Sequence, residues 1–175
     1  VAFLQHSLTN DLRRLDKNGR GQYTAMLSHD GGFVDDLICY RIEQQEYFLC
    51  INAGNVQKDF DWLTTLSKSY DVVVENESAQ WAQIAVQGPQ STKLLMSCFP
   101  QLQSQGFAEL GYMTAIHTNL GAQDCMIART GYTGETGYEI YLPQKSAAGV
   151  WTSLADCQEV APALCGLGAR DTLRL

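Results

Sequence analysis

The chain lacks any apolar run long enough to cross a membrane. Its longest apolar segments fall far short of the ~20 residues that a membrane-spanning helix needs. Of its 175 residues, 45% are hydrophobic and 18% are charged, the balance of an ordinary soluble chain with one substantial core. No charged start precedes a sustained apolar stretch, so a signal peptide is not expected. The sequence therefore predicts a protein with no membrane partner.

Paired metal-ligand motifs are also missing. None of the six cysteines forms a Cys-x-x-Cys pair, and the three histidines, His6, His29 and His117, are far apart. A metal site is therefore not expected. Scattered cysteines in apolar, strand-like segments are typical of reduced core thiols. We therefore expect a reducing compartment and a cytoplasmic location.

Motifs for nucleotides and for nucleophilic catalysis fail in detail. The glycine-rich residues 131–137 lack the Gly-Lys-Ser/Thr ending of a phosphate-binding loop. The pair Gly166 and Gly168 is followed by Asp171 where a dinucleotide fingerprint needs its third glycine. No Gly-x-Ser-x-Gly elbow is present. A net charge of −7 argues against nucleic acid as the main partner.

The order of strand and helix patterns predicts an α+β fold. Hairpins dominate over regular βαβ units, which favours mixed, largely antiparallel sheets with packed helices. Helices are predicted within 1–15, after 55, from 88–91 to about 96, over 146–156 and from 166. Strands are predicted over 22–27, 33–42, 47–51, 70–74, 81–86, 113–118, 125–129 and 138–142.

Two adjacent carboxylates stand out in the strand predicted over 33–42. Because strand side chains alternate between faces, Asp35 shares a face with Arg41, and Asp36 has only apolar or amphipathic neighbours. This alternation predicts that Asp36 is the buried acid of the pair. Burying an ionised carboxylate is costly unless it is hydrogen-bonded. Asp36 is then either satisfied structurally or held for a ligand, and spacing alone leaves both open.

Four further polar side chains lie at the ends of predicted elements. Glu139 is in the strand that leaves the glycine-rich residues 131–137, where it would either form a bidentate pair with a guanidine-like edge or be an ordinary exposed charge. Arg170, near a helix start, needs a partner or solvent to offset the helix dipole. Tyr23 and Tyr132 lie beside turns.

A local cationic cluster interrupts the acidic chain. It consists of Arg13, Arg14, Lys17 and Arg20. These side chains form either a solvated surface or a docking surface. The docking surface would receive an acidic partner or a polyanionic ligand tail.

Seven segments together resemble the aminomethyltransferase family, the T-proteins of the glycine cleavage system. Each segment is a weak signal alone, but the seven occur in this order and together cover nearly the whole chain, which makes the set specific. Family members are longer, with more chain before Val1 and a barrel-like domain after Leu175, so residues 1–175 are expected to be a folate-binding fragment. The segments are Thr9-Asn10-Asp11-Leu12, Gly21-Gln22-Tyr23-Thr24, residues 31–37, residues 52–59, Gln87-Gly88-Pro89, residues 129–139 and residues 166–175.

The resemblance implies a reaction and a set of roles. T-proteins transfer the methylene of the aminomethyl-dihydrolipoyl H-protein to tetrahydrofolate, with release of ammonia. By motif match, the catalytic aspartate falls on Asp36 and the pterin-binding glutamate on Glu139. The remaining cosubstrate-binding positions fall on Tyr132, Arg170, Tyr23 and Asn52. The family needs no metal, and the H-protein is the more favoured partner for the cationic cluster.

Two related groups remain as alternatives. One is the folate-binding domain of sarcosine- or dimethylglycine-oxidising flavoproteins, which also carry a flavin domain. The other is the non-catalytic folate-binding protein of iron–sulfur cluster assembly, marked by a Lys-Gly-Cys signature. Residues 128–135 here contain no cysteine.

Overall fold

The computed structural model describes residues 1–173, which divide into two compact units. The first unit covers Val1–Ser78 and the second begins at Ala79. Each unit has its own antiparallel sheet and its own apolar core. The predicted α+β class is therefore confirmed.

The first unit is a three-stranded sheet packed with two helices. The strand order is β1-β2-β3, and both pairings are antiparallel. Its core residues include Met26, Leu37 and Leu63, contributed by β1, β2 and α2. The elements are α1 (Ala2–Ser7), β1 (Gly21–Leu27), β2 (Phe33–Arg41), β3 (Tyr47–Ile51) and α2 (Val56–Ser67).

The second unit is a four-stranded sheet with the order β4-β7-β6-β5. Strand β7 lies between β4 and β6, and its first six residues are buried. The core cluster includes Leu95, Ile127 and Ile140. The elements are β4 (Trp81–Gln87), α3 (Ser91–Cys98), β5 (Ala115–Leu120), β6 (Gln123–Ala128), β7 (Gly137–Pro143), α4 (Ala147–Ala155) and α5 (Leu167–Leu173).

Two local predictions differ from the structure. The helix expected within 1–15 ends at Ser7, because the chain next to it runs along β1, where the Thr9 amide donates to the Ala25 carbonyl at 2.9 Å. A short 3₁₀ turn follows at Leu12–Arg14, capped by the Asp11 side chain. The strand predicted over 70–74 does not form. The segment does not pair with either sheet, and Val73 is exposed.

Residues 1–173 contain neither a candidate membrane-spanning helix nor a candidate metal-binding cluster. No helix there is both long and apolar enough to span a membrane. No group of three or more His, Cys, Asp or Glu side chains there is arranged to hold a metal ion.

Candidate functional site

The two aspartates of β2 lie on opposite faces, but the face prediction was wrong. Asp35, Leu37 and Cys39 point into the core, and Asp35 is only 5% exposed. Asp36 is half-buried instead. Strand β2 is the central strand of its sheet and is apolar on both faces, so the pattern cannot tell which face the helices cover.

Asp36 is held by two neutral hydrogen-bond donors. The Tyr23 hydroxyl donates to Oδ2 at 2.6 Å, and the Asn52 amide Nδ2 donates to Oδ1 at 3.0 Å. Tyr23 pairs with Ile38 in the β1–β2 register, which makes it a diagonal neighbour of Asp36. Asn52 directly follows β3, whose Ile51 pairs with Leu37. The structure therefore brings together three of the predicted site residues.

A second acidic pair, which the sequence analysis missed, lies behind Asp36. Asp35 accepts from Asn52 Nδ2 at 3.1 Å and from Asn55 Nδ2 at 2.9 Å. Asp59, from the first turn of α2, is within hydrogen-bonding reach of Asp35 and is completely buried. The signal was in the sequence: Asp59 lies at a core-facing position between Val56 and Leu63.

Burial raises the pKa of both aspartates, whereas the hydrogen bond between them raises the pKa of Asp59 and lowers that of Asp35. Burial first, and then Asp35, raise the pKa of Asp59 to about 7. Burial alone would also raise the pKa of Asp35. Its hydrogen bonds to Asp59, Asn55 and Asn52 outweigh that effect and lower its pKa. Two adjacent buried carboxyls therefore ionise at well-separated pH values.

We expect Asp59 to make the folded state less stable as pH rises. A carboxyl whose pKa is raised by folding binds its proton more tightly in the folded state, so its stabilisation is complete below about pH 4 and is lost as pH rises through about pH 7. The lowered pKa of Asp35 affects the stability of the folded state only at pH values below the ordinary pKa of an aspartate, outside the pH range in which Asp59 acts. Urea unfolding of the full-length protein at several pH values should show a fall in unfolding free energy that Asp59→Asn lacks. Equal slopes in both proteins would contradict the assignment.

Glu139 is a buried carboxylate in the second unit. It is 9% exposed on β7, the strand between β4 and β6. Gln83 Nε2 donates to Oε1 at 2.7 Å, the Thr130 hydroxyl donates to Oε2, and the Tyr141 hydroxyl lies 3.4 Å from Oε2. Within the described residues its partners are thus neutral donors. An ionised carboxylate has about four lone-pair positions, so Glu139 retains capacity for one more donor, at Oε1.

Tyr132 and Arg170, both predicted site residues, contact one another. The Arg170 guanidinium carbon lies 5.4 Å from the centre of the Tyr132 ring, a cation–π contact. The tyrosine remains 47% exposed. Arg170, expected to need a partner or solvent, is exposed and also contacts this aromatic face.

Gln87, at the end of β4, fixes both ends of the glycine-rich residues 131–137. Its Nε2 donates to the Thr130 carbonyl at 3.2 Å and to the Tyr138 carbonyl at 3.1 Å. A Cβ atom at Gly131 or Gly137 would collide with the Gln87 amide. A side chain at either position would displace the Gln87 amide from the two carbonyls it holds, and Gly131 also has a φ of +153° that favours glycine. Gln87 thereby fixes the backbone just before Glu139.

The cationic cluster is partly neutralised in the structure. The Arg13 guanidinium forms a fork with Asp11, with Nε and Nη2 each 2.9 Å from a carboxylate oxygen. This hydrogen bond lowers the pKa of Asp11. Arg14, Lys17 and Arg20 are exposed. The cluster is exposed, and one of its four positive charges is paired with Asp11.

The predicted site residues thus fall into separate groups. Asp36, Tyr23 and Asn52 meet in the first unit, while the second unit carries Glu139 and the Tyr132–Arg170 contact. Sequence reasoning missed Asp59 and Gln83. The residues after Leu173 in the last motif lie outside the described part of the chain.

Comparison with known proteins gives a family match over the whole chain. The model of the GCVT N-terminal domain matches residues 1–175. An aminomethyltransferase of Chlorobium luteolum is 46% identical over 175 residues, covering 99% of this chain and 47% of the relative. An aminomethyltransferase of Chlorobaculum tepidum is 44% identical over 179 residues, covering 100% of this chain and 47% of the relative. The chain therefore spans about half the length of these curated relatives.

A solved structure agrees with the sequence relatives. The glycine cleavage system aminomethyltransferase T of Bartonella henselae superposes with a TM-score of 0.80 at 34% identity, over 99% of this chain and 45% of that chain. The resemblance drawn from the motifs is confirmed. The chain belongs to the GCVT N-terminal domain family, together with relatives named aminomethyltransferase.

Proposed function

We propose that the protein containing this chain is a tetrahydrofolate-dependent aminomethyltransferase of the glycine cleavage system. It would transfer the methylene of aminomethyl-dihydrolipoyl H-protein to tetrahydrofolate and release ammonia. The observation that carries the proposal is a half-buried carboxylate, Asp36, held between the Tyr23 hydroxyl and the Asn52 amide. Because the chain spans about half of its relatives, the experiments below use the full-length protein.

Asp36 has the properties that the reacting carboxylate needs. It is partly accessible, and two donors fix its orientation. A carboxylate so oriented can align an attacking amine and stabilise the positive charge that develops as ammonia departs. The remaining rate enhancement would come from holding two substrates in register.

Glu139 supplies the proposed anchor for the pterin ring. The ring presents a 2-amino group and a neighbouring N–H, a pair of donors that matches the two oxygens of a carboxylate. Gln83 and Thr130 already orient these oxygens; Oε1 has a lone pair to spare, and at Oε2 the pterin donor would replace the long contact from the Tyr141 hydroxyl. Tyr132, Arg170, Tyr23 and Asn52 would complete the contacts to tetrahydrofolate.

The same proposal covers the chain's role and surroundings. Residues 1–175 would form the folate-binding region of a longer enzyme whose partner is the lipoylated H-protein. The six cysteines are free thiols in the structure, which suits a reducing, cytoplasmic compartment.

An assay of the full-length protein tests the proposal directly. Aminomethyl-lipoyl H-protein and tetrahydrofolate should yield methylene-tetrahydrofolate and ammonia in equal amounts. Omission of either substrate should abolish both products. Folate binding without turnover, or a bound flavin together with oxidation of sarcosine, would contradict the proposal in favour of the two related groups.

The cationic cluster should assist association with the H-protein. An acidic partner is drawn to Arg14 and Lys17 by long-range attraction, which acts on the association rate and is screened over about 10 Å at 0.1 M salt. We expect the Arg14→Ala/Lys17→Ala double variant to associate more slowly in stopped-flow measurements at low salt, with a deficit that shrinks as salt is added.

A matched control removes the same charge elsewhere. Lys68 and Lys145 are also exposed, so the Lys68→Ala/Lys145→Ala variant carries an identical net charge. It should associate faster than the cluster variant at low salt. Identical rates for the two variants would mean that the cluster is not a docking surface.

A further inference from the structure

A completely buried aspartate without a hydrogen-bond donor requires an explanation. Asp59 has no exposed surface, and neither carboxylate oxygen has a donor among the described residues. The nearest cation, Lys58 Nζ, is 4.0 Å away, about half exposed, and donates to the Val34 carbonyl at 2.7 Å. An ionised Asp59 would thus be left buried and largely uncompensated, which is strongly unfavourable.

The group that Asp59 faces is itself a carboxylate. Asp35 is within hydrogen-bonding reach, and its oxygens already accept from the amides of Asn52 and Asn55. Two buried carboxyls in contact cannot both be ionised at modest cost. Asp35 has two donors that favour its charge, and Asp59 has none. The proton therefore belongs on Asp59, whose O–H becomes a third donor to Asp35.

The charged groups around Asp59 differ in their effect on its ionisation. Asp35 and Asp36 of β2 oppose its ionisation, and Lys58 of α2 favours it. The N-terminal turn of α2 also favours a negative charge, through the helix dipole. Burial is the largest of these effects and opposes ionisation. The neutral form is thus favoured by burial and by both carboxylates of β2.

Asn52 connects this pair to Asp36. Its Nδ2 has two hydrogens but lies near three acceptors: Asp35 Oδ1 at 3.1 Å, the Asp36 carbonyl at 3.1 Å and Asp36 Oδ1 at 3.0 Å. How Asn52 shares its hydrogens between the two aspartates depends on how strongly Asp35 attracts them. That attraction depends on whether Asp59 supplies its proton.

We propose that Asp59 and Asp35 form an acid–carboxylate pair sharing one proton, and that Asp59 is a positioning residue that acts through Asn52 on the orientation of Asp36. The effect of Asp59 on catalysis rests on the proposed function, whereas the shared proton does not depend on it.

The shared proton has a spectroscopic signature that is independent of activity. A protonated carboxylic acid has a carbonyl stretching band that a carboxylate and an amide lack. The infrared difference spectrum of wild type minus Asp59→Asn, on the full-length protein, should contain this band at pH 5 and lose it as pH rises through about 7. Absence of the band at pH 5 would overturn the shared proton.

Kinetics of two variants separate positioning from simple stability. Asp59→Ala removes the donor to Asp35, and we expect kcat to fall by up to about 100-fold, the effect of a misplaced catalytic group, with a much smaller change in tetrahydrofolate Kd. Asp59→Asn still offers an N–H to Asp35 and should recover most of the loss, without the wild-type decline in kcat above about pH 7.

The control variant is Asp61→Asn on the same helix. Asp61 is exposed and accepts a hydrogen bond from Gln57, so its replacement should leave kcat and its pH dependence unchanged. If Asp59→Ala does not fold, the comparison of Asp59→Asn with wild type across pH still decides the proposal. A kcat for Asp59→Asn that keeps the wild-type decline with pH would overturn it.

A double-mutant cycle tests the route through Asn52. If Asp59 acts through Asn52, the loss from Asp59→Ala should largely disappear in an Asn52→Ala background. Additive losses would overturn the positioning role. Failure of the proposed function is recognised separately: Asp36→Asn would then leave turnover intact, whereas the infrared band of Asp59 would persist.

Discussion

Replacing Asp36 by asparagine should abolish turnover in the full-length protein without unfolding it. The variant keeps the size of the side chain but loses its negative charge, and its amide nitrogen must face one of two present donors, Tyr23 or Asn52. Loss of a group that aligns the amine and stabilises developing charge should lower kcat by about 10²–10⁴-fold. The measurement is the rate of methylene-tetrahydrofolate and ammonia formation with saturating substrates.

Two controls distinguish a loss of catalysis from a loss of folding or of surface charge. Circular dichroism and thermal unfolding of Asp36→Asn should match wild type, because Asp36 is half-buried and outside the apolar core. Asp61→Asn removes one exposed carboxylate from the same unit and should retain full activity. If Asp36→Asn folds and turns over within a few-fold of wild type, Asp36 is not the reacting carboxylate.

Much of the fold could be predicted because its patterns are local. Strand β3 forms at its predicted bounds, Tyr47–Ile51, and α2 begins directly after residue 55 as its apolar spacing indicated. The segment 70–74 shows the limit of such patterns. Its β-branched residues favour a strand, but a strand also needs a neighbouring edge, and that is a property of the tertiary structure.

The candidate site was less predictable, for two physical reasons. Alternation along β2 separates Asp35 from Asp36, but it cannot say which face the helices cover when both faces are apolar. The partners of Asp36 come from other segments, Tyr23 through the β1–β2 register and Asn52 from the end of β3. Tyr23 was noted beside a turn, but only the family resemblance placed Tyr23 and Asn52 in the same site as Asp36.

Asp59 and Gln87 show signals that become clear only with coordinates. The helical spacing of α2 puts Asp59 toward the core, where an acid demands a partner, yet the sequence does not identify that partner as Asp35. Residues 131–137 lack the ending of a phosphate-binding loop, and the sequence alone does not explain why glycine occupies positions 131 and 137. In the structure the lack of a Cβ at these two positions makes room for the Gln87 side chain.

Replacing Glu139 by glutamine should weaken tetrahydrofolate binding in the full-length protein. The variant keeps one acceptor oxygen and presents N–H donors where the pterin also presents donors. Loss of a charge-assisted hydrogen bond of about 1.5–3 kcal/mol corresponds to a roughly 10- to 100-fold rise in Kd. Isothermal titration calorimetry with tetrahydrofolate measures this change directly.

The interior of β7 should tolerate the substitution. The Thr130 hydroxyl can rotate to accept from the new amide, and Gln83 can still donate to the remaining oxygen. Glu135→Gln is the matched control, since Glu135 is exposed in the glycine-rich residues 131–137, and its Kd should equal that of wild type. A folded Glu139→Gln protein with unchanged affinity would remove Glu139 from the binding site. Its buried charge would then serve only the hydrogen bonds to Gln83 and Thr130.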